Sequence, residues 1–172
     1  MEISSTAGIF IDIIVALILV FSLIGGLRQG ALKEFFGLLA FVIALPLASL
    51  FIGVTAGWLN FIGDARWRLF LAFLLAAGII TILLQLLFWL PRHLLEKAWS
   101  GGFLWSLLGG VFGLANSALG FVFIIKLLGF YPVLPWLSDI LAASRILNWL
   151  AGMLGPTVSF LMQNLLYFGA LT

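Results

Sequence analysis

The chain has 172 residues, of which 65% are hydrophobic and 8% charged, with a mean hydropathy of +1.31. A soluble domain is roughly 45–50% apolar and about 25% charged, so this chain lacks the polar surface that a soluble fold needs and reads as an integral membrane protein. Its net charge of +2 comes from 8 basic and 6 acidic side chains that form no dense patch, so a nucleic-acid surface is excluded. Zero cysteines exclude disulfides, thiolate catalysis and Cys-based metal sites, and a single histidine excludes a multi-His site.

Four apolar runs, at about 9–27, 35–54, 69–90 and 103–125, match the roughly 20 helical residues that a hydrocarbon core of about 30 Å requires. None alternates as a barrel strand does. The expected fold is an all-α integral membrane protein with about four transmembrane helices in two hairpins, plus C-terminal amphipathic or interfacial helices. Glu2 is the only charge before Asp12, and no small-x-small cleavage site follows the first run, so it reads as a retained span rather than a signal peptide. Pro46 is a candidate break in the second span.

Short charged connections separate the spans: Arg28, Lys33 and Glu34, then Asp64, Arg66 and Arg68, then Arg92, His93, Glu96 and Lys97. Orientation follows Lys and Arg in short loops. The first and third connections share one side with Arg28, Lys33, Arg92 and Lys97, against Arg66, Arg68, Lys126 and Arg145 on the other. Lys126 can snorkel and Arg145 lies beyond the last span. That tips the expectation to a cytoplasmic first and third loop, with both termini outside.

The expected division is a transmembrane domain over 1–130 and an amphipathic and short apolar tail over 131–172. Pro132 and Pro135 end the fourth helix, and 136–150 reads as one amphipathic helix, with Trp136, Ile140, Ala143, Leu147 and Leu150 along one side. Gly155-Pro156 is expected to restart a last helix carrying Ser159, Gln163 and Tyr167, short for a full span and so interfacial or re-entrant, with a fifth span as the alternative.

Three groups of residues stand out. In the fourth run, Gly109 and Gly113 form a GxxxG motif that Ser117 continues one turn on, and small residues let helix backbones approach closely in lipid. This row reads either as an interface to another subunit or copy, or as packing inside the chain's own bundle, with Asn116 hydrogen-bonding across it. Asp12, Arg66, Arg68 and Lys126 fall at one end of the spans and form a candidate charged cluster, the alternative being interfacial ion pairing and snorkelling. Gln85 is the strongly polar residue deep in the third run. His93 could reach a pigment or haem, or make a headgroup contact. No Ser-His-Asp set, carboxylate pair or phosphate loop has its context, so an enzyme, a resident cofactor and a metal are not expected.

The first hairpin carries Asp12, a span, then Gly26-Leu27-Arg28-Gln29-Gly30-Ala31-Leu32-Lys33-Glu34; the second carries Leu95-Glu96-Lys97 and Leu108-Gly109-Gly110-Val111-Phe112-Gly113-Leu114. Over about residues 10–125 this pattern resembles the colicin V production protein (CvpA) family of small bacterial inner-membrane proteins. The chain has Trp105 and Ser106 where that family usually has Asp-Arg, and Asn116 and Ser117 where it commonly has Arg-Gly. The resemblance implies a multi-pass accessory protein of the inner membrane, in secretion or envelope maintenance, without enzyme chemistry. It also implies a loop surface at Arg28, Gly30, Lys33 and Glu34, which reads equally as a positive-inside anchor around a tight turn. The expected partners are the bilayer and other membrane-protein subunits or a second copy, with no nucleic acid. The alternatives are a component of a transporter or channel for a small or apolar solute, supported by Asp12, Gln85, Asn116 and Lys126, and a pigment- or quinone-associated subunit using His93.

Overall fold

The computed structural model describes residues 2–98 and 102–162, with side chains over 8–95 and 102–162. Every element is helical: α1 (Glu2–Gln29), α2 (Ala31–Trp58), α3 (Ala65–Ala98), α4 (Phe103–Phe130), α5 (Pro135–Ala142) and α6 (Arg145–Leu161). The first four are long and apolar enough to cross a membrane. At 28 to 34 residues each they run about 42 to 51 Å at 1.5 Å per residue, well beyond a core of about 30 Å. Their ends therefore stand outside the hydrocarbon.

The helices outgrow their apolar runs because the connections are tighter than the charges suggest. Only Gly30 separates α1 from α2, and it sits at φ 84°, in the left-handed region where a side chain is strained. Arg28 thus belongs to the last turn of α1, and Lys33 and Glu34 to the first turn of α2. A cation at a helix C-terminus and an anion at an N-terminus each complement the helix dipole. At the opposite end, the Asp64 carboxylate accepts the Arg66 N–H at 2.8 Å and its carbonyl accepts that of Arg68 at 3.0 Å, which starts α3.

Prolines do not interrupt the spans. Pro46 lies inside α2 and Pro91 inside α3. The hydroxyl of the fully buried Ser49 donates to the Pro46 carbonyl at 2.6 Å, and Thr55 and Thr81 donate to carbonyls one turn back. Lipid offers no water to hydroxyls, so back-bonding to the helix satisfies them.

The packing order is α3–α2–α4–α1. The bundle follows neighbours in space more than in sequence: α1 packs chiefly on α4, while α1 and α2 barely meet beyond their shared turn. The hydrophobic core lies at the end away from Gly30. Leu45, Ala48 and Ile52 of α2, Ala72, Phe73 and Ala76 of α3, and Ala118, Val122, Phe123 and Leu127 of α4 meet there with Leu150, Val158 and Met162 from the tail. Phe123 is central, with ring centroids 5.7 Å from both Phe41 and Phe73.

The tail departs from the expected single amphipathic helix over 136–150. The chain breaks between Ala142 and Arg145, and α6 then runs unbroken through Gly155 and Pro156. The break has a cap: the Ser144 hydroxyl accepts the Leu147 N–H at 3.1 Å. α6 packs along α4, with contacts to α1 and α2, and buries Leu147, Leu150, Gly155 and Val158 while Trp149, Met153 and Phe160 stay exposed. Gln163 and Tyr167 lie outside the described residues.

The α1–α4 seam yields a stability prediction. A Cβ on Gly109 would lie 2.7 Å from the Gly30 carbonyl carbon and 2.9 Å from the Ala31 nitrogen, both backbone, whereas one on Gly120 of the same helix meets nothing within 4 Å. Gly109→Val should destabilise the detergent-solubilised protein by about 2 kcal/mol, the usual cost of overpacking, and Gly120→Ala by less than about 0.5 kcal/mol. Thermal unfolding of the two variants side by side measures the difference.

Candidate functional site

The bundle is closed by its core at one end and opens at the other. The Phe73–Phe123 pair joins α3 to α4 only at the core end. Towards Gly30, α2 holds each of them separately, through Phe36–Phe88 at 5.4 Å and Phe35–Phe112 at 5.5 Å. The space left between them is a pocket of about 210 Å³ lined by Gln29, Lys33, Glu34, Phe36, Gly37, Gln85, Phe88, Arg92 and Asn116.

Helical spacing builds this lining. Gln85, Phe88 and Arg92 are three and four residues apart and share one face of α3, as Lys33, Phe36 and Gly37 share one face of α2. Gly37 has no side chain to fill the space, and a Cβ there would sit 3.9 Å from the Asn116 amide nitrogen. Asn116 is seven residues past Gly109, so the pocket reaches about 10 Å into the bundle from the Gly30 turn. The amides of Gln29, Gln85 and Asn116 make no hydrogen bond to other described residues.

Of the residues expected to form a loop surface, Lys33 and Glu34 line this pocket, Gly30 makes the turn above it, and Arg28 points outside its lining, exposed. Gln85 and Asn116, which the sequence offered with Asp12 and Lys126 for a transporter or channel, do share this pocket, whereas Gln29 and Arg92 were not expected as their partners. The signal available was the i, i+3, i+7 placement of Gln85, Phe88 and Arg92.

The GxxxG row is used within the chain. Gly109, Gly110 and Gly113 are buried against Ser22, Leu23, Gly26 and Leu27 of α1, and a Cβ on Gly113 would lie 2.6 Å from the Ser22 carbonyl oxygen. Two hydroxyls fasten the seam: Ser106 donates to the Leu27 carbonyl, and Ser117 donates to the Ser22 hydroxyl at 2.5 Å. Asn116, expected to bond across this seam, instead lines the pocket, about 100° round α4 from Ser117.

The four charges expected to cluster are separated. Asp12 is engaged by the tail: its carboxylate accepts the Ser144 hydroxyl at 2.5 Å and the backbone N–H groups of Ile146 at 3.1 Å and Arg145 at 3.4 Å. A carboxylate on the first free N–H groups of a helix satisfies orphan donors and complements the dipole. Lys126 runs along Gly155 of α6, with its Cε 3.3 Å from where a Cβ would be. Arg66 and Arg68 start α3, which packs on α2 and not on α1. His93 stacks on Trp89, centroids 5.8 Å apart and planes 6° from parallel. Among the described residues no group of three or more His, Asp or Glu could hold a metal ion.

Four membrane-length helices around a polar pocket, with a capped tail across one end, define a small multi-pass helical membrane protein. The family model for colicin V production protein matches residues 11–155, and the chain belongs to that family. No curated protein and no solved structure matches the chain.

The tail dock is testable. Ser144→Ala should weaken the α6 cap by about 1 kcal/mol, and Asp12→Ala should speed amide exchange at Arg145 and Ile146. Arg66→Ala and Arg68→Ala should leave both amides unchanged, whereas a working charge cluster would make all four variants alike. Hydrogen exchange in nanodiscs, read by mass spectrometry, reports all of them.

Proposed function

We propose that this protein is a non-enzymatic accessory or scaffold protein of the inner membrane that acts through helix faces within a larger membrane assembly, in secretion or envelope maintenance. The observation that supports this most is the outer face of α1. Its residues Ile9, Phe10, Ile13, Ile14, Leu17 and Phe21 are exposed along an edge helix that only α4 and the tail cover. Connections between the four spans are short, so helix faces and the pocket are the surfaces available for recognition. On this reading the first and third connections face the cytoplasm, with Arg28, Lys33, Arg92 and Lys97 outweighing Arg66 and Arg68 once Lys126 snorkels and Arg145 lies beyond the last span.

The second reading, a component of a transporter or channel, draws support from Gln85 and Asn116 sharing one pocket. Asp12 and Lys126 weaken it, since both are taken up by α6 at the other end. His93, stacked on Trp89, does not line this pocket, so the pocket lends the pigment or quinone reading no support.

A photo-crosslinking residue in place of Phe10 or Phe21, activated in native membranes, tests the first reading. The expected product is a discrete higher-mass adduct to another subunit or to a second copy. Labelling of lipid alone at both positions, with the chain purifying as a monomer in mild detergent, would contradict it.

A further inference from the structure

We propose that the outward face of α3 is a docking surface for a second copy of this chain, joined across a two-fold axis by the Gln85 amides. The inference stands apart from the accessory reading, which rests on α1 at the opposite edge of the bundle, so either can fail alone.

Spacing defines the face. Leu75, Gly78, Ile82, Gln85 and Trp89 recur at intervals of three and four residues, the heptad spacing of a helix seam, and all five are exposed. They lie across the helix from Phe73 and Ile80, through which α3 joins the core. Gln85 stands at the border of two surfaces. It lines the rim of the pocket, yet its neighbours on the outer face are Ile82 and Trp89, each more than half exposed.

What marks this face is the amide. Gln85 lies about 5 Å from the midpoint of α3 at 1.5 Å per residue, and so within a hydrocarbon core of about 30 Å. Hydroxyls inside the spans are satisfied: Ser49, Thr55 and Thr81 donate to carbonyls of their own helices, and Ser117 donates to Ser22. Gln85 makes no hydrogen bond to another described residue, and acyl chains offer it neither donor nor acceptor.

The chemistry of the amide selects a second copy. It carries an acceptor oxygen and an NH₂ donor group. Around a two-fold axis each Gln85 donates an N–H to the side-chain oxygen of the other, so two identical side chains satisfy each other with no further group. Polar side chains join helices in lipid, where apolar faces have no preference for one another. Two-fold dimers are the commonest symmetric assembly, and they bury the same patch on both copies. Gly78, about two turns from Gln85, leaves room for the approach: a Cβ there would meet nothing within 4 Å.

The test is disulfide trapping of the full chain in native membranes, which the absence of native cysteine makes free of background. Ile82→Cys, beside Gln85 on the seam, should give a disulfide-linked homodimer on brief mild oxidation. Leu83→Cys is as exposed but lies a further 100° or so round the helix, and should give roughly tenfold less. Adding Gln85→Leu to Ile82→Cys should lower the dimer yield about tenfold, the scale of a pair of interhelical hydrogen bonds in lipid. Gln85→Asn, which keeps both amide functions, should restore most of it. If Gln85→Leu does not fold, the contrast between positions 82 and 83 decides alone. Equal trapping at those two positions, a yield unchanged by Gln85→Leu, or an adduct to a different chain in place of the homodimer would overturn the proposal.

Discussion

The close approach of Gly26 to Gly109 organises this molecule. Between helices in lipid there is no hydrophobic driving force, because an acyl chain is as apolar as leucine, so helices associate by packing and hydrogen bonding. At this seam the two backbones come so near that a Cβ on Gly26 would overlap the Gly109 carbonyl, and Ser106 and Ser117 add hydrogen bonds at either side. The seam brings α1 to α4 although α2 is its neighbour in sequence. It leaves α4 central, with α1 on one side, α2 on the other and α6 along its C-terminal half. The arrangement also carries Asp12 to the start of α6. Lengthening the Gly26–Gly109 distance would displace the tail as well as the first helix.

The two ends of the bundle consequently differ. Around Phe73, Phe123, Val122 and Val158 the helices are sealed by apolar packing, and α6 adds Leu150 and Met162 to that core. Towards Gly30 the same α2 holds α3 and α4 apart through separate aromatic pairs, and polar side chains line the opening. The colicin V production protein family model covers residues 11–155, and within that span the first hairpin and the Gly-rich fourth helix build the Gly30 turn, the pocket mouth and the seam.

Much of the fold was legible in the sequence, because apolar length is a strong signal and lipid permits little besides helix. The four spans, the all-helical class and the small-residue row on α4 were all readable. Less readable were features that depend on distant residues. The start of α6 is set by Ser144 together with Asp12, which lies 132 positions away, so no local pattern marks it. The one-residue turn at Gly30 placed Lys33 and Glu34 inside a helix rather than in a loop. Periodicity could show that Asn116 and Ser117 flank the Gly109–Gly113 row about 100° apart, but not which of them meets α1 and which the pocket. Proline as a helix breaker, sound in water, misled at Pro46 and Pro156, since both lie inside continuous helices.

The small-residue row of α4 is occupied by α1 of the same chain, which leaves α1's outer face uncovered. The chain has no cysteine of its own, so a single introduced pair tests the claim without background. The hydroxyls of Ser22 and Ser117 are 2.5 Å apart, which makes these positions candidates for a disulfide. With Ser22→Cys and Ser117→Cys in one chain, mild oxidation in native membranes should give an intramolecular disulfide at monomer mass, unchanged when the variant is diluted with cysteine-free protein. A disulfide-linked dimer that disappears on such dilution, or no bond at all, would contradict it.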